Sequence, residues 1–398
     1  MLVLIADRLP DWVPEQLAKL GFEVSMRPET TADDLDTGID GAHVLIVRST
    51  RVNAPCLQKS AELMLVIRAG AGVNTIDVAE AAARGIHVAN TPGQNAAAVA
   101  ELTMGLLLAV DRRIPAGTSL LKEGAWDKKR FSNATGLKGR RMGIIGWGRI
   151  GQAVAERARA FALEVHVFSR SLTPEIAQKA GVGFCADVQT LCIHSDIVSL
   201  HVAMTEETRG ILDAKAIAQL PDGAIVLNTS RGGLIDQDAL LSALEERGFR
   251  AGLDVYDDEP PAGDSAISDP VARHQSVVGT HHIGASTQQA QDAVAAEVVR
   301  VLTAFIGTGE VPNCVNLAEE TLANWLLTVR HFDRVGVLAG VLDVLKEARI
   351  NVQEMENTIF AGGLAAICTI RMDSRPNEET LALLASRENI LGLQLTAL

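Results

Sequence analysis

The chain has 398 residues, 47% of them hydrophobic, and a formal net charge of −13. This length and apolar content predict two or three domains with buried cores and exclude an intrinsically disordered protein. The negative charge argues against nucleic acid or an anionic membrane as the main partner, because both require a broad basic surface. Five scattered cysteines without a Cys-x-x-Cys pair indicate reduced thiols, so we expect neither disulfides nor a metal site.

The N-terminus indicates a first β-strand rather than an export signal. Residues 1–6 are apolar, but no basic segment precedes them and charge appears at Asp7. The apolar stretch 96–110 is interrupted by Glu101, and no run approaches the roughly 20 apolar residues that a membrane span requires. We therefore expect a soluble, cytoplasmic protein.

Short β-branched runs alternate with Ala- and Leu-rich stretches through most of the chain. This alternation is typical of parallel βαβ units, and the continuous hydrophobicity of the runs suits strands that are covered on both faces. The predicted strands are residues 44–47, 65–67, 142–145, 165–168, 196–200, 224–227, 251–253 and 276–279. The alternation stops near residues 310–320, where we expect a linker.

The remaining residues follow a different order, βαββαβ. The predicted strands of this tail are residues 326–330, 352–357, 364–372 and 391–396, and its predicted helices are residues 336–349 and 377–386. This order is the ferredoxin-like pattern. We therefore predict a separate ferredoxin-like domain over residues 320–398.

A glycine-rich loop joins the strand predicted at 142–145 to a helix predicted at 152–161. Its sequence, Gly-Trp-Gly-Arg-Ile-Gly, matches G-x-G-x-x-G in the strand-to-helix context that a dinucleotide-binding turn requires. Exposed amides and the helix dipole would hold the pyrophosphate. The predicted cofactor contacts of this loop are Gly146, Gly148, Arg149, Ile150 and Gly151.

The strand that follows this loop ends without the Asp or Glu that binds the ribose 2′-hydroxyl in NAD-binding proteins. Ser169, Arg170 and Ser171 stand there instead. A carboxylate would repel a 2′-phosphate, whereas Arg170 could pair with one and Ser169 could donate a hydrogen bond to it. The predicted cofactor is therefore NAD or NADP.

Three further motifs each begin directly after a predicted strand. They are Asn-Thr-Ser-Arg-Gly-Gly from residue 228, Asp-Val-Tyr-Asp-Asp-Glu-Pro-Pro from residue 254, and His-His-Ile-Gly from residue 281. On its own, each motif can have a purely structural role. The arginine can form a surface ion pair, the acidic residues can form a solvated loop, and the histidine can be a packing residue. Because the carboxyl ends of parallel strands meet at one edge of an open sheet, we expect the three to converge beside the cofactor.

Together with the glycine-rich loop, these motifs resemble the D-isomer-specific 2-hydroxyacid dehydrogenase family over residues 1 to about 315. The matching segments are Asn-Thr-Ser-Arg-Gly-Gly-Leu-Ile-Asp, Asp-Val-Tyr-x-x-Glu-Pro-Pro and His-Ile-Gly-Ala-Ser-Thr. The resemblance implies that Arg231 holds the substrate carboxylate and carbonyl oxygen, a task suited to its planar fork. It also implies that Glu259 orients and charges His282, which exchanges a proton with the substrate hydroxyl.

The resemblance implies a Rossmann-type, doubly wound parallel cofactor domain over residues 95–284. It also implies a flavodoxin-like, discontinuous substrate domain formed by residues 1–94 and 285–315. Asp254 would meet the nicotinamide carboxamide. The other implied cofactor contacts are Ser169, Arg170, His201, Thr229 and Ser230, and the implied substrate contacts are Arg48, Ala71, Gly72 and Asn95.

Within the family, the segments from Asn90, Gly124 and Arg330 are most similar to members that oxidise D-3-phosphoglycerate to 3-phosphohydroxypyruvate, the first step toward serine. Those members carry a C-terminal regulatory ACT domain. We therefore expect this reaction, with Arg48 and the Lys128–Lys129–Arg130 run as phosphate partners. We also expect an amino-acid effector at the tail and a homodimer or homotetramer.

Two alternatives remain. A glyoxylate or hydroxypyruvate reductase is the closer one, and it would need neither the phosphate cations nor the ACT tail. A corepressor-like module on the same fold, in which the dinucleotide gates protein contacts, is the remote one. That module predicts no turnover, and the presence of Arg231, Glu259 and His282 weighs against it.

Overall fold

A computed structural model of the protein describes residues 1–39, 41–260, 266–318 and 321–398. These residues form two compact units, Met1–Asn316 and Leu317–Leu398. The second proline of the Glu-Pro-Pro motif, Pro261, lies outside the described residues, as does residue 320, where we predict the tail domain to begin. The predicted division of the larger unit into two domains stays a prediction.

The first sheet of the larger unit has five parallel strands. They are β1 (Leu2–Ile5), β2 (Glu23–Met26), β3 (Val44–Val47), β4 (Leu65–Arg68) and β5 (His87–Asn90). The helices between them are α1 (Trp12–Lys19), α2 (Ala32–Gly38), α3 (Ala54–Lys59) and α4 (Val78–Ala83). The strand order β2-β1-β3-β4-β5 is the flavodoxin-like order. Helices cover both faces of this sheet, which explains why the central strand β3 is buried at every residue.

The second sheet of the larger unit has seven parallel strands. They are β6 (Arg141–Ile145), β7 (Glu164–Phe168), β8 (Gly183–Phe184), β9 (Ile197–Leu200), β10 (Ile225–Asn228), β11 (Arg250–Leu253) and β12 (Val277–Gly279). The accompanying helices are α5 (Ala96–Arg112), α6 (Ile114–Lys122), α7 (Lys128–Phe131), α8 (Arg149–Ala160), α9 (Pro174–Ala180), α10 (Val188–Ile193), α11 (Ala214–Gln219) and α12 (Gln237–Glu246). The order β12-β11-β10-β9-β6-β7-β8 reverses between β6 and β9, which is the Rossmann switch point.

After β12 the chain returns to the first sheet. Helix α13 (Gln288–Thr308) buries Val298 and Leu302 against β1 and β3. Beyond it, Cys314 bridges to Ala89 of β5. Asn316 then accepts a hydrogen bond from the Val88 amide at 2.8 Å. We call the part of the larger unit built on the first sheet the first lobe, and the part built on the second sheet the second lobe. The core of the first lobe is therefore completed by residues that follow the second lobe in sequence.

The smaller unit has the predicted βαββαβ order. Its elements are β13 (Trp325–Phe332), α14 (Val337–Glu347), β14 (Val352–Ile359), β15 (Ala365–Met372), α15 (Glu378–Ser386) and β16 (Ile390–Ala397). The strand order is β14-β15-β13-β16, and all neighbours are antiparallel. The fold-class prediction, two parallel α/β lobes followed by a ferredoxin-like unit, is confirmed.

Among the described residues, no helix combines the length and the apolar character that crossing a bilayer requires.

Candidate active site

The carboxyl ends of both parallel sheets open onto one cleft of about 800 Å³. The first lobe contributes Arg48, which follows β3, and Arg68, the last residue of β4. The second lobe contributes Glu259 and His282 from the loops after β11 and β12. These four side chains are far apart in sequence, and the sheet geometry brings them together because parallel strands end at a common edge.

His282 and Glu259 form a paired contact at the wall of the cleft. His282 Nδ1 lies 2.8 Å from Glu259 Oε2, and the Tyr256 amide donates to Glu259 Oε1 at 3.1 Å. Because a carboxylate only accepts hydrogen bonds, Nδ1 carries a proton, and Nε2 is the nitrogen that can exchange one with a bound molecule. The imidazole is 46% exposed and therefore reaches the cleft.

Opposing effects set the pKa of the Glu259 carboxyl. Partial burial raises it, but the hydrogen bond and charge of His282, the Tyr256 amide and the Arg231 guanidinium together outweigh burial. The pKa of Glu259 therefore lies below its ordinary value, and the carboxylate is charged at neutral pH. A charged carboxylate at Nδ1 holds the imidazole in place for proton exchange at Nε2.

Asp254 holds the loop that carries His282. Its carboxylate accepts hydrogen bonds from Thr280 Oγ1 at 2.6 Å and from the Ile283 and Gly284 amides at 2.8 Å each. The Asp254 carbonyl accepts the His282 amide at 2.8 Å. His282 has φ of +54°, a left-handed conformation that a non-glycine residue keeps only when its surroundings impose it.

Asp254 is only 1% exposed, and both of its carboxylate oxygens accept hydrogen bonds from this loop. These contacts hold the backbone that carries His282. The contact of Asp254 with the nicotinamide carboxamide, which the family resemblance implies, stays a prediction.

Two arginines approach the glycine loop that follows β4. A Cβ at Gly72 would lie 3.2 Å from Arg231 Nη2, and a Cβ at Gly70 would lie 1.7 Å from Arg68 Nη1. A side chain at Gly70 would therefore displace the Arg68 guanidinium, whereas one at Gly72 would need Arg231 to move by only a few tenths of an ångström. Burial, followed by the charges of Arg231 and Arg48, lowers the pKa of Arg68, so the three cations form one cluster.

Asp7, at the end of β1, positions the Arg48 loop. One of its carboxylate oxygens accepts the backbone amides of Arg48, Ser49 and Thr50 at 2.6, 3.1 and 3.1 Å. Arg68 Nε donates to the Arg48 carbonyl at 3.1 Å, which ties the two cationic residues together. The sequence motifs assign neither Arg68 nor Asp7 to the site, and the amides that Asp7 binds lie about 40 positions away from it.

The predicted glycine fingerprint has the geometry of a dinucleotide turn. Gly146 has φ of +107°, and a Cβ there would lie 2.3 Å from the His201 carbonyl oxygen. A Cβ at Gly151 would lie 2.1 Å from the Gly146 carbonyl oxygen, so this glycine lets α8 pack against the turn. Gly148 faces open space. These residues fit a pyrophosphate above the N-terminus of α8.

His201 lies beside this turn and is nearly buried. Its Nε2 lies 2.8 Å from Ser199 Oγ, whereas its Nδ1 is buried without a partner among the described residues. Burial lowers the pKa of His201 to about 3, so the ring is neutral. An unpartnered polar atom next to the fingerprint is a second feature that suits a bound cofactor.

Three of the remaining predicted contacts have hydrogen-bond partners within the protein. Arg149 Nη1 donates to the Pro92 carbonyl at 3.0 Å, Thr229 Oγ1 lies 2.9 Å from Thr103 Oγ1, and Ser230 Oγ donates to the Leu200 carbonyl at 2.7 Å. The other predicted residues of the crevice are Ile150, which follows Arg149 in α8; Ala71, whose carbonyl accepts from Asn90; and Asn95, whose buried Oδ1 has no partner among the described residues.

Arg170 is paired with a carboxylate that sequence analysis did not foresee. Its Nη1 lies 2.5 Å from Glu207 Oε2, and both side chains are about three-quarters exposed. Ser169 Oγ lies 3.3 Å from Ser171 Oγ. The end of β7 therefore presents hydroxyl groups and an arginine that a solvent-exposed glutamate partly neutralises.

The Lys128–Lys129–Arg130 run does not reach the cleft. It forms the short helix α7, and Arg130 lines a different cavity together with Asp222, Gly248 and Ser276. Those residues stand at the amino ends of β10, β11 and β12, the edge opposite the cleft. The expectation that this run binds substrate phosphate within the same chain is therefore wrong, because the sheet separates the two edges.

The fold and the cleft define a two-lobed α/β protein with a dinucleotide crevice beside an arginine, glutamate and histidine constellation. Residues 104–284 match the family model described as "D-isomer specific 2-hydroxyacid dehydrogenase, NAD binding domain". The chain is 40% identical over 326 residues to D-3-phosphoglycerate dehydrogenase of Methanocaldococcus jannaschii, which is 80% of this chain and 61% of that protein. It is 42% identical over 277 residues to hydroxypyruvate reductase of Thermotoga maritima, 69% of this chain and 88% of that protein.

A solved structure extends the comparison. The crystal structure of NAD⁺-bound 3-phosphoglycerate dehydrogenase from Entamoeba histolytica matches with a TM-score of 0.66 at 26% identity, covering 80% of this chain and 99% of that chain. The chain spans 61 to 66% of the length of the first D-3-phosphoglycerate dehydrogenases that it matches. The protein belongs to the D-isomer-specific 2-hydroxyacid dehydrogenase family.

Proposed function

We propose that the protein oxidises D-3-phosphoglycerate to 3-phosphohydroxypyruvate with NAD or NADP as hydride acceptor, as in serine biosynthesis. The single observation that supports this most is the composition of one cleft. It holds the His282–Glu259 pair opposite the clustered cations Arg48 and Arg68, with Arg231 at the glycine loop. In a chain of net charge −13, such a cluster suits a substrate with two anionic groups.

Each side chain has a task in this proposal. Arg231 binds the carboxylate with its fork, next to the amides of Ala71 and Gly72. Arg48 and Arg68 bind the phosphate from the other lobe. His282 Nε2 accepts the hydroxyl proton during oxidation, and Glu259 stabilises the resulting imidazolium through Nδ1.

The cofactor is held by the fingerprint and the end of β7. Gly146, Gly148 and Gly151 admit the pyrophosphate, and Ser169 and Arg170 face the ribose. When bound, NAD or NADP supplies the nicotinamide ring that accepts the hydride. The absence of a carboxylate directly after β7 favours tolerance of a 2′-phosphate.

A reductase for hydroxypyruvate or glyoxylate is the second candidate. The Thermotoga relative with that name shares 42% identity and is covered over 88% of its length. Its substrate lacks a phosphate, so the role of Arg48 and Arg68 discriminates between the two candidates. The corepressor-like module predicts no turnover with any substrate.

We propose further that the smaller unit is an ACT-like regulatory domain that takes an amino acid, and that the enzyme works as a homodimer or homotetramer. The ferredoxin-like topology of β13–β16 supports the first proposal. The exposed apolar side chains of the α6–α7 region, Ile114, Leu121 and Trp126, support the second.

The test is kcat/KM for D-3-phosphoglycerate, D-glycerate, D-lactate and hydroxypyruvate in wild type, His282→Ala, Arg48→Gln and Arg51→Gln. We expect phosphoglycerate to be preferred and His282→Ala to lower kcat by about 10² to 10⁴ while the cofactor still binds. Arg48→Gln should raise KM for phosphoglycerate more than for D-glycerate. Arg51→Gln removes the same charge outside the cleft lining and should change neither. Equal losses for phosphoglycerate and D-glycerate in Arg48→Gln would favour the reductase.

A further inference from the structure

Residues 90–95, which we call the crossover segment, carry the chain from β5 of the first lobe to α5 of the second. Two groups of this segment hold the glycine loop that follows β4. Asn90 Nδ2 donates to the Ala71 carbonyl at 2.6 Å, and the Thr91 amide donates to the Gly70 carbonyl at 3.0 Å. The crossover segment therefore sets the position of the loop to which the proposed reaction assigns the substrate carboxylate.

Arg149 connects the crossover segment to the glycine turn between β6 and α8. It is the first residue of α8, and its Nη1 donates to the Pro92 carbonyl at 3.0 Å. The next residue of the segment, Gly93, has φ of +76°, and a Cβ there would lie 2.1 Å from Arg149 Cδ. Gly93 therefore leaves room for the arginine stem, and an alanine at this position would displace it.

The first lobe holds the other end of the crossover segment. Asn313 Nδ2 donates to the Asn90 carbonyl at 3.3 Å and to Glu297 Oε1 of α13 at 2.6 Å. Hydrogen bonds from Arg300 and Asn313 lower the pKa of Glu297, burial opposes them, and the charge of Arg149 lowers it further. The segment thus lies between α13 of the first lobe and the start of α8 in the second.

Two buried polar atoms of the crossover segment lack a partner among the described residues. They are Thr91 Oγ1, in a residue that is 1% exposed, and Asn95 Oδ1, in a residue that lines the cleft. Buried polar atoms without a partner are unfavourable. A small shift of the segment that supplies partners would therefore stabilise it.

Arg149 can bind a second group while it keeps the Pro92 contact. That contact uses one of the five N–H donors of the guanidinium, and the side chain is exposed. The N-terminus of α8 is also where the amides fit a pyrophosphate. A charge-assisted hydrogen bond to a phosphate is stronger than one to a neutral carbonyl, so a phosphate at this helix end would hold the arginine in place.

We propose that Arg149 is a positioning residue: it fixes the crossover segment, and through it the glycine loop after β4, when a cofactor fills the turn between β6 and α8. This inference rests on the proposed function, which assigns the cofactor to the turn and the substrate carboxylate to the loop. A loop that is already in place costs less to order when the acid binds. Cofactor and hydroxy acid therefore lower each other's Kd by the same factor.

Fluorescence titration of the full chain with the reduced cofactor, NADH or NADPH, measures this coupling. The Kd of the cofactor is determined without acid and with saturating D-3-phosphoglycerate or, separately, D-glycerate. Reduced cofactor and hydroxy acid do not react with each other, because neither accepts a hydride. The ratio of the two Kd values is the coupling factor, and it is independent of turnover.

The variants are Arg149→Met, which keeps the stem and removes the donors, Arg149→Lys, which keeps the charge, and Gly93→Ala, which displaces the stem. The other end of α8 offers matched controls. There Arg159 Nη1 donates to the Ala180 carbonyl at 2.7 Å and lies beside Gly181, which has φ of +68°. Arg159→Met and Gly181→Ala therefore repeat the same changes away from the cofactor turn. Thermal unfolding without ligand verifies that each variant is folded.

We expect a coupling factor of about fivefold or more in wild type, the lower end of typical couplings. Arg149→Met and Gly93→Ala should reduce it to about one, Arg149→Lys should retain part of it, and both controls should keep the wild-type value. Coupling with D-glycerate alone would reject phosphoglycerate as the substrate and still support the role of Arg149. The inference is overturned if neither acid shows coupling in wild type, if Arg149→Met weakens cofactor binding but keeps the coupling factor, or if Arg159→Met reduces that factor equally.

Discussion

Because His282 Nδ1 contacts Glu259 Oε2, Nε2 is the ring nitrogen that exchanges a proton with the substrate in both oxidation and reduction. Oxidation of a hydroxyl requires Nε2 to be an acceptor, and reduction of a ketone requires it to be a donor. The pKa of the Glu259 carboxyl is held below its ordinary value, so its carboxylate is charged at neutral pH and can stabilise the imidazolium that is formed or used up in either direction. Both directions therefore depend on one negative charge.

Glu259→Gln removes that charge and keeps the shape of the side chain. The neutral amide cannot stabilise the imidazolium that forms when His282 takes the substrate proton, so kcat should fall in both directions. Rate profiles in both directions from pH 5 to 10 measure this loss. Glu246→Gln, at the end of α12 and away from the cleft, serves as the control. Profiles that coincide with wild type would make Glu259 a structural residue.

The same carboxyl links folding to pH. A carboxyl whose pKa is lowered on folding stabilises the folded protein above its unfolded-state pKa. This stabilisation is lost as the pH falls through the lowered pKa. Glu259→Gln should therefore show a smaller loss of stability on acidification than wild type.

Arg170 decides the choice between NAD and NADP in our proposal. Its exposed pair with Glu207 is worth at most about 1 kcal/mol, so a 2′-phosphate can replace the carboxylate. Arg170→Ala should lower kcat/KM for NADP relative to NAD by about ten- to a hundredfold, the value of one charge-assisted contact. Glu207→Gln should move the ratio in the opposite direction. An NADP/NAD ratio that neither substitution changes would show that Arg170 does not contact the phosphate.

At the scale of elements, two glycines of the turn between β6 and α8 have different tasks: Gly151 serves packing, and Gly148 leaves room for the cofactor. Gly151 faces the Gly146 carbonyl at a distance that no Cβ tolerates, whereas Gly148 faces open space. Gly151→Ala should destabilise the protein without cofactor by about 1 to 3 kcal/mol, because helix and turn must move apart. Gly148→Ala should leave the melting temperature unchanged and weaken cofactor binding, since the methyl group occupies the place of the pyrophosphate.

Thermal unfolding and cofactor titration measure the two variants side by side. If Gly148→Ala destabilises the protein as much as Gly151→Ala, both glycines serve packing alone. If both bind cofactor as wild type does, the turn is not the cofactor site.

The strands that the sequence predicts best are those buried on both faces. β3, covered on both faces, is found at its predicted bounds, and the other strands of continuous apolar sequence shift by one or two residues. β2, β5 and β8 were not identified. All three stand at sheet edges. β2 and β8 carry exposed residues that interrupt the apolar run, and the short strand β5 begins and ends with the polar residues His87 and Asn90.

The candidate site was also predicted only in part. Strand-end placement predicts that Arg231, Glu259 and His282 meet, because it depends only on parallel topology. The partners of Asp254, Asp7 and Arg170 depend on side-chain directions in loops, which periodicity does not report. Their hydrogen bonds join residues 26 to 43 positions apart.

At the scale of the whole molecule, each of the two units has its own hydrophobic core. The smaller unit buries Leu327, Val329, Val344 and Ile370 between its sheet and its helices. The larger unit completes its first lobe with α13 and Asn316, before the smaller one begins. Neither core needs residues of the other unit, and the two should therefore fold separately.

A chain truncated after Leu317 should remain folded and active. Its unfolding transition should match one of the two transitions of the full chain, while a fragment of residues 321–398 should reproduce the other. If the smaller unit is the regulatory domain that we propose, truncation should also abolish any change in kcat or KM produced by serine or other amino acids. A control truncated after Thr308 loses the Cys314 and Asn316 contacts with β5 and should be less stable. An insoluble or inactive chain ending at Leu317 would mean that the tail completes the catalytic fold or its oligomer.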